Sequence, residues 1–432
     1  SGILQLLYNA ADIIVVGRFS GPTALAAVGS TGSLINLIVN LLIGLSVGAS
    51  VCVANFYGAG REKDVRETVH TAMLISVIGG VIVAVVGMVF AKTFLGWMGS
   101  PDDVIDQATL YLRIYFAGIP LTMAYNFASA IFRALGDTKR PLYYLAVSGL
   151  VNVILNLIFV IVFKMGVAGV ATATVVAQAV STTLIILCMI RSHSVIHLQR
   201  DMLRIHGDKL KEIVRVGLPA GLQGTIFSIS NVLIQSSINS FGSIAIAGNS
   251  ASSNLEGFMY TSMNSVYQAA LSFAGQNMGA RKYSRLKKVL CNCLAIVTGI
   301  GIGMGAIMYL LRYQLLGIYS SDMDVINFGI ERLELFCLTY FTCGAMDVMV
   351  GQMRGMGYSI VPMIVSLVGV CGIRIVWIFT VFKASNSLLT LYMSYPVSWV
   401  VTLAVHFSTF LYVYRKVKQR TDGVPDVPTV KA

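Results

Sequence analysis

The chain has 432 residues, of which 56% are hydrophobic and 12% charged. Soluble domains carry roughly 25% charged residues, so this composition excludes an ordinary soluble domain and indicates the membrane class. A net charge of +12 would point to nucleic acid on a soluble protein; here the charges are read first against a bilayer.

A spanning helix needs about 20 apolar residues. Apolar runs separated by charged or Gly/Pro punctuation predict twelve spans, at 1–17, 31–57, 67–95, 107–132, 141–163, 166–190, 213–240, 245–276, 287–316, 328–353, 360–382 and 387–414. They are too long and continuous for barrel strands, which run about 10 residues with strict alternation. Helices are the other way to satisfy backbone groups in lipid. The expected fold is therefore an all-α integral membrane protein. The first run has no basic flank and no cleavage site, so it does not read as a signal peptide. It is short, and the expectation is a first helix lacking its opening turns.

Basic residues concentrate in alternate loops. Arg61, Lys63 and Arg66, then Arg133, Lys139 and Arg140, the stretch from Arg191 to Arg215, the stretch from Arg281 to Lys288, Arg354, and the tail from Arg415 account for 23 of 31. The positive-inside rule places these loops, and both termini, in the cytoplasm. Most of the net charge is then orientation, with some contact to anionic lipid.

The sequence also matches itself at an offset of 221 residues. Gly58-Ala59 falls on Gly279-Ala280, Leu95-Gly96 on Leu316-Gly317, and Arg133, Gly136 and Pro141 fall on Arg354, Gly357 and Pro362. Two parallel six-helix lobes follow, at 1–190 and 213–414, with a basic cytoplasmic linker at 191–212 and a cytoplasmic tail at 415–432. Such paired lobes support alternating access in transporters.

Polar residues inside spans carry the functional reading. In "LLYNAADIIVVGR" at 6–18, Asp12 closes a stripe with Gln5, Tyr8 and Asn9 at helical spacing. An intramembrane acid costs on the order of 2.5–3.5 kcal/mol on insertion scales, so it is read as functional unless a structural role accounts for it. Ser148, Asn152 and Asn156 form a second stripe, and Thr174 lies in the next span. An acid among amides and hydroxyls can be neutral or ionised near pH 7, which suits it to carry a proton, or a sodium ion when ionised. The second half does not repeat the acid: at this offset Asp12 meets Leu233, and a two-residue slip gives Asn231. It offers instead Glu256, followed by Tyr260, Asn264 and Tyr267, together with Asp347 and Arg374. Arg374 reads as a counterion to either acid or as a snorkelling cation. Asn126, Asn231 and Gln235 complete the set of candidate substrate contacts.

Other motifs carry less. "GLSVG" at 44–48 matches GxSxG, but it lies in a membrane helix without the strand–turn–helix context of a nucleophile elbow. Gly44 and Gly48 read as a small-residue packing pair. No Walker A motif is present, so ATP does not power the protein directly. The seven cysteines lack metal-ligand spacing and read as buried thiols. Met346, Met349 and Met353 share one helix face, read as packing or lipid contact, and His406 reads as structural.

The ordered segments "ADIIVVGRFSGPTALAAVGS" at 11–30, "FYGAGR" at 56–61, "FRALGDTKRP" at 132–141, "GVAGVATAT" at 166–174 and "MGARKYSRL" at 278–286 resemble the multidrug and toxic compound extrusion (MATE) family of the MOP flippase superfamily. The resemblance covers nearly the whole chain. It implies a monomer of twelve helices in two lobes, without cofactor or enzymatic activity. It implies efflux of organic, often cationic or amphipathic compounds against inward proton or sodium flow, with membrane lipids as partners and no nucleic acid. By position, Asp12 matches the family's first-helix acid, Asn152 and Asn156 an Asn/Asp pair on helix five, and Thr174 a hydroxyl on helix six. Asn156 departs from the family's frequent aspartate, which puts a two-carboxylate coupling scheme in doubt. Alternative readings are a flippase or exporter of lipid-linked saccharides from the same superfamily and, in a different class, an intramembrane hydrolase using Ser46.

Overall fold

A computed structural model of the chain describes residues 2–20, 22–97, 102–320 and 322–421. Each of the twelve predicted spans is helical. In chain order the helices are α1 (Gly2–Phe19), α2 (Pro22–Gly58), α3 (Glu62–Trp97), α4 (Asp102–Ala117), α5 (Ile119–Ala134), α6 (Lys139–Leu157), α7 (Gly166–Arg191) and α8 (Gly207–Asn239). They continue with α9 (Ser243–Gly279), α10 (Ser284–Leu310), α11 (Arg312–Gly317), α12 (Met323–Gly355), α13 (Ile360–Ser366), α14 (Ile373–Trp377), α15 (Lys383–Ser385) and α16 (Leu388–Thr421). Among the described residues, nine helices are long and apolar enough to cross a bilayer, or ten when the bent pair α4–α5 counts as one span. Of the remaining predicted spans, α1 is described only in part, and α9 is long but studded with Ser, Asn and Glu256.

The predicted span 107–132 is bent by 47° where α4 meets α5. Pro120 sits in the first turn of α5. Proline offers no N–H and disfavours helical geometry at the residue before it, so the helix breaks there.

The chain divides into two compact units, Ser1–Tyr57 with Arg61–Thr225, and Gly58–Gly60 with Ile226–Ala432. The boundary falls inside α8. A physical reason lies in its first half, where Gly217 and Gly221 face Gly44 and Gly48 of α2. A Cβ on Gly44 would collide with the Gly221 backbone, and one on Gly48 with the backbone at Ile213 and Gly217. Small residues let two helices meet at backbone distance, which ties this half of α8 into unit 1. Ser46, between the two glycines, donates to Ile43 O at 2.7 Å, a hydrogen bond inside its own helix.

Within unit 1, α3 packs on α4 and α5, α6 on α7, and α1 on α6 and α7. The start of α8 is anchored by Lys209, which reaches Asp64 at 2.6 Å and Asp208 at 3.0 Å. The linker is strapped to α3: Gln199 N donates to His70 Nε2 at 3.0 Å, and His206 N to Thr71 Oγ1 at 3.1 Å. In unit 2, α12 is central and packs on α9, α10 and α16. Met346, Met349 and Met353 are buried in its core.

The 221-residue repeat reappears in the backbone. Gly60 and Arg281 both take left-handed conformations (φ 68° and 56°), as do Gly136 and Gly357 (φ 90° and 87°). The π-helical segment Ile158–Val162 that follows α6 has a counterpart in Ile378–Phe382. Several of the basic residues counted with the loops lie in last helical turns, among them Arg133 of α5, Arg191 of α7 and Arg354 of α12. A cation there faces the negative end of the helix dipole.

Candidate functional site

Unit 1 gathers its polar residues around Asp12. α1 carries the acid; α6 places Asn152 and Asn156 one turn apart on the face toward it; α7 adds Thr174. Asp12 is only 7% exposed. Asn156 Nδ2 donates to Asp12 Oδ1 and, at 3.2 Å, to Asn152 Oδ1. Thr174 Oγ1 lies 3.3 Å from Asp12 Oδ2 and 3.0 Å from Val170 O, and accepts from Asn152 Nδ2 at 3.4 Å. One turn earlier on α6, Ser148 Oγ donates to Ala177 O at 2.6 Å and joins α6 to α7. The α4 phenols of Tyr111 and Tyr115 also interact electrostatically with the acid.

Two features of this cluster matter chemically. All the hydrogen-bond partners of Asp12 are neutral, and among the described residues it makes no ion pair. Asn156 Oδ1 is buried and has no hydrogen-bond partner there. An amide can turn either its donor or its acceptor toward a carboxyl group. Nδ2 suits the ionised acid, and Oδ1 would suit the protonated one. The oxygens of Asp12, Asn152, Asn156 and Thr174 also form a set suited to a hard monovalent cation. Among the described residues no group of three His, Cys, Asp or Glu is placed to hold a metal.

Unit 2 has a different chemistry. Arg332 on α12 grips Glu256 on α9 through its Nε–Nη2 edge, Nε to Oε1 and Nη2 to Oε2, each at 2.7 Å. Its Nη1 donates to Asn249 Oδ1 at 2.6 Å. Asn249 Nδ2 in turn donates to Gln235 Oε1 at 3.1 Å, and Ser252 Oγ to Glu256 Oε1 at 3.2 Å. The guanidinium lies over the rings of Phe336, Tyr392 and Tyr395. Arg374 on α14 is equally enclosed but has no such partner among the described residues. Its Nε donates to Ser398 Oγ at 3.1 Å, its Nη1 to Asn231 Oδ1 at 3.5 Å, and its face covers Tyr395 with 4.2 Å from Cζ to the ring centroid.

The residues singled out from the sequence therefore separate into groups. Asp12, Asn152, Asn156 and Thr174 meet. Gln5 of the same stripe is exposed, and the side chains of Tyr8 and Asn9 lie outside the described residues. Asn126 is half-buried on α5. Glu256 and Gln235 share the Arg332 network, while Asn231 joins Arg374. Asp347 interacts electrostatically with Tyr260 and Arg354, and Arg354 Nη1 bonds Tyr267 OH at 2.9 Å. Asn264 is half-buried on α9. The counterion of Glu256 is Arg332 rather than Arg374, and Arg374 neither pairs with an acid among the described residues nor snorkels. Arg332 was not singled out from the sequence. A basic residue inside the predicted span 328–353 was the available signal. His406 is fully enclosed and meets Ser366 Oγ at 2.9 Å through Nε2.

Long helices of bilayer-crossing length, folded as two units with polar clusters in their interiors, define a multi-pass membrane protein. The MatE family model matches residues 1–158 and 219–380, and the chain belongs to that family. Its members are transporters, and the protein is not an enzyme. Among curated relatives, the "Probable multidrug resistance protein YoeA" of Bacillus subtilis is 26% identical over 427 residues, covering 96% of this chain and 92% of its own length. The "Probable multidrug resistance protein NorM" of Thermotoga maritima is 23% identical, covering 88% and 82%. Among solved structures, an outward-facing multidrug resistance MATE family transporter of the MOP superfamily superposes with a TM-score of 0.89 at 22% identity, covering 97% of this chain and 94% of that one. A MOP superfamily transporter from Pyrococcus furiosus, described as having a binding pocket of reverse polarity, gives 0.90 at 22% identity, covering 96% and 94%. At these identities the superpositions show the fold.

Proposed function

We propose that the protein exports organic compounds across a bacterial plasma membrane by antiport against inward proton or sodium flow, and that Asp12 is the coupling group. The observation that carries this reading is a carboxylate 7% exposed and held, among the described residues, by neutral amides and a hydroxyl. An acid buried without a cation is costly to keep ionised. It gains most from taking up a proton or a small cation, and that gain is the energy available for coupling. The relatives named as multidrug resistance proteins support the export of organic compounds.

Uptake of the cation at Asp12 exchanges the partners of its carboxylate. With the acid ionised, Asn156 donates through Nδ2. With the acid protonated, the amide turns and Asn156 Oδ1 gains the partner it lacks. The change alters the bonds that tie α1 to α6 and α7, and so favours one conformation of an alternating-access cycle. A cation shifts such an equilibrium only by its differential affinity for the two states. One carboxylate in this cluster implies one cation per cycle at this site. The basic loops support both termini in the cytoplasm, with lobes at 1–190 and 213–414.

Reconstitution with pH and sodium gradients imposed separately tests the reading. Efflux should follow one of the two gradients, and Asp12→Asn should lower gradient-driven efflux at least about tenfold, which corresponds to about 1.4 kcal/mol of lost coupling. Undiminished gradient-driven efflux in this variant would remove Asp12 from the mechanism.

A further inference from the structure

Among the guanidinium groups enclosed in unit 2, Arg332 and Arg374 are 6% and 5% exposed. Arg332 is satisfied by the two oxygens of Glu256. Arg374 has a hydroxyl on Nε, an amide oxygen at the limit of hydrogen-bond length on Nη1, and no hydrogen-bond partner for Nη2 among the described residues. A buried cation without a counterion is costly, and guanidinium is shaped to take a planar anion through two parallel bonds.

The surroundings of Arg374 suit such an anion. Asn231, at 3.5 Å from Nη1, is itself exposed on α8, so the weakest bond of Arg374 is also the one nearest the surface. Ile229, Val232 and Leu233 around it are exposed and apolar. The short α14 turn that carries Arg374 lies between two π-helical segments, Leu367–Gly372 and Ile378–Phe382. Such insertions widen a helix and redirect its side chains, frequently at functional sites. At the 221-residue offset, Arg374 falls on Val153, so this cation has no counterpart in unit 1.

We propose that Arg374 is an anion-accepting subsite for the carboxylate of an amphipathic substrate. The carboxylate replaces Asn231 on the Nη1–Nη2 edge, and the apolar body of the substrate lies along the exposed apolar residues of α8. Tyr395 and Ser398 hold the guanidinium in place from its face and its Nε edge. The substrates of this protein then include organic acids or zwitterions as well as cations. The subsite does not depend on cation coupling at Asp12.

Equilibrium dialysis of the full chain in lipid-free detergent tests it, with labelled 2-naphthoate against neutral 2-naphthamide, two probes of nearly the same shape. The expected result is naphthoate bound at least about tenfold more tightly, a preference lost in Arg374→Gln. Asn231→Asp provides a second variant, in which an internal carboxylate occupies the cation; it should fold and should also lose the preference. Equal binding of the two probes to the unaltered protein overturns the proposal, as does a preference that survives in both variants. With phosphatidylglycerol added, naphthoate should stay bound; its displacement by the lipid would overturn the assignment to a soluble substrate. Binding at equilibrium needs no gradient, so failure here leaves the coupling reading standing, and failure of coupling leaves this one standing.

Discussion

Among the described residues, Asp12 of unit 1 is enclosed without a base, and Arg374 of unit 2 without an acid. Asp12 and Arg374 lie in helical surroundings that descend from one repeat, yet their neighbours are opposite in kind. Around Asp12 the neighbours on α6 and α7 are amides and a hydroxyl that can reorient. Around Arg374 they are aromatic rings with one hydroxyl and one distant amide. Beside Arg374, the Arg332–Glu256 pair shows a charge pair completed inside the protein. Burial alone therefore does not mark a site. A buried charge whose partner is supplied by the fold is structural, and one left incomplete is available to a ligand.

The comparison can be broken most forcefully at the complete pair. Arg332→Gln leaves Glu256 enclosed with no cation, and should destabilise the protein by about 3–5 kcal/mol, read as a large fall in thermal midpoint in detergent. A small effect would mean that the pair is not what satisfies these charges. Next in size is the glycine contact that fixes α8 to unit 1. Gly44→Leu forces side-chain atoms into the Gly221 backbone and should cost about 1–3 kcal/mol or more; an unchanged midpoint would show that α2 and α8 do not meet so closely. Asn152→Ala removes bonds to Thr174 and Asn156 and should cost about 1 kcal/mol, by the same measurement.

The smallest effects on stability are expected at the two incomplete charges, and they sharpen the contrast most. Asp12→Asn and Arg374→Gln each remove a charge that, among the described residues, has no opposite partner to strand. Each should therefore shift stability by no more than about 1 kcal/mol, because lost hydrogen bonds and ring contacts offset the relief of burying a charge. A loss as large as that of Arg332→Gln at either position would make that charge part of the scaffold.

Much of the fold was legible in the sequence, because bilayer thickness imposes a length on every spanning helix and leaves long apolar runs. The break between α4 and α5 was not marked within the predicted span 107–132, although Pro120 is its cause. The candidate residues of unit 1 were legible individually, since an acid and amides at helical spacing stand out against apolar neighbours. Their mutual distances, and the empty acceptor on Asn156, were not. In unit 2 the sequence offered Arg374 as a counterion to Glu256 or Asp347. Arg332 takes Glu256 because α9 and α12 pack along their length, a relation between residues 76 positions apart that no local pattern records.

A helical membrane protein with a doubled plan is already implied by the order of residues, because composition, run length and the 221-residue offset are properties of the chain read in one dimension. That order also determined that a single half carries Asp12. Tertiary structure alone decided which charges are answered and which are left open. That outcome depends on side chains from distant helices meeting at hydrogen-bond range, where a shift of an ångström separates a satisfied ion pair from a site waiting for a ligand.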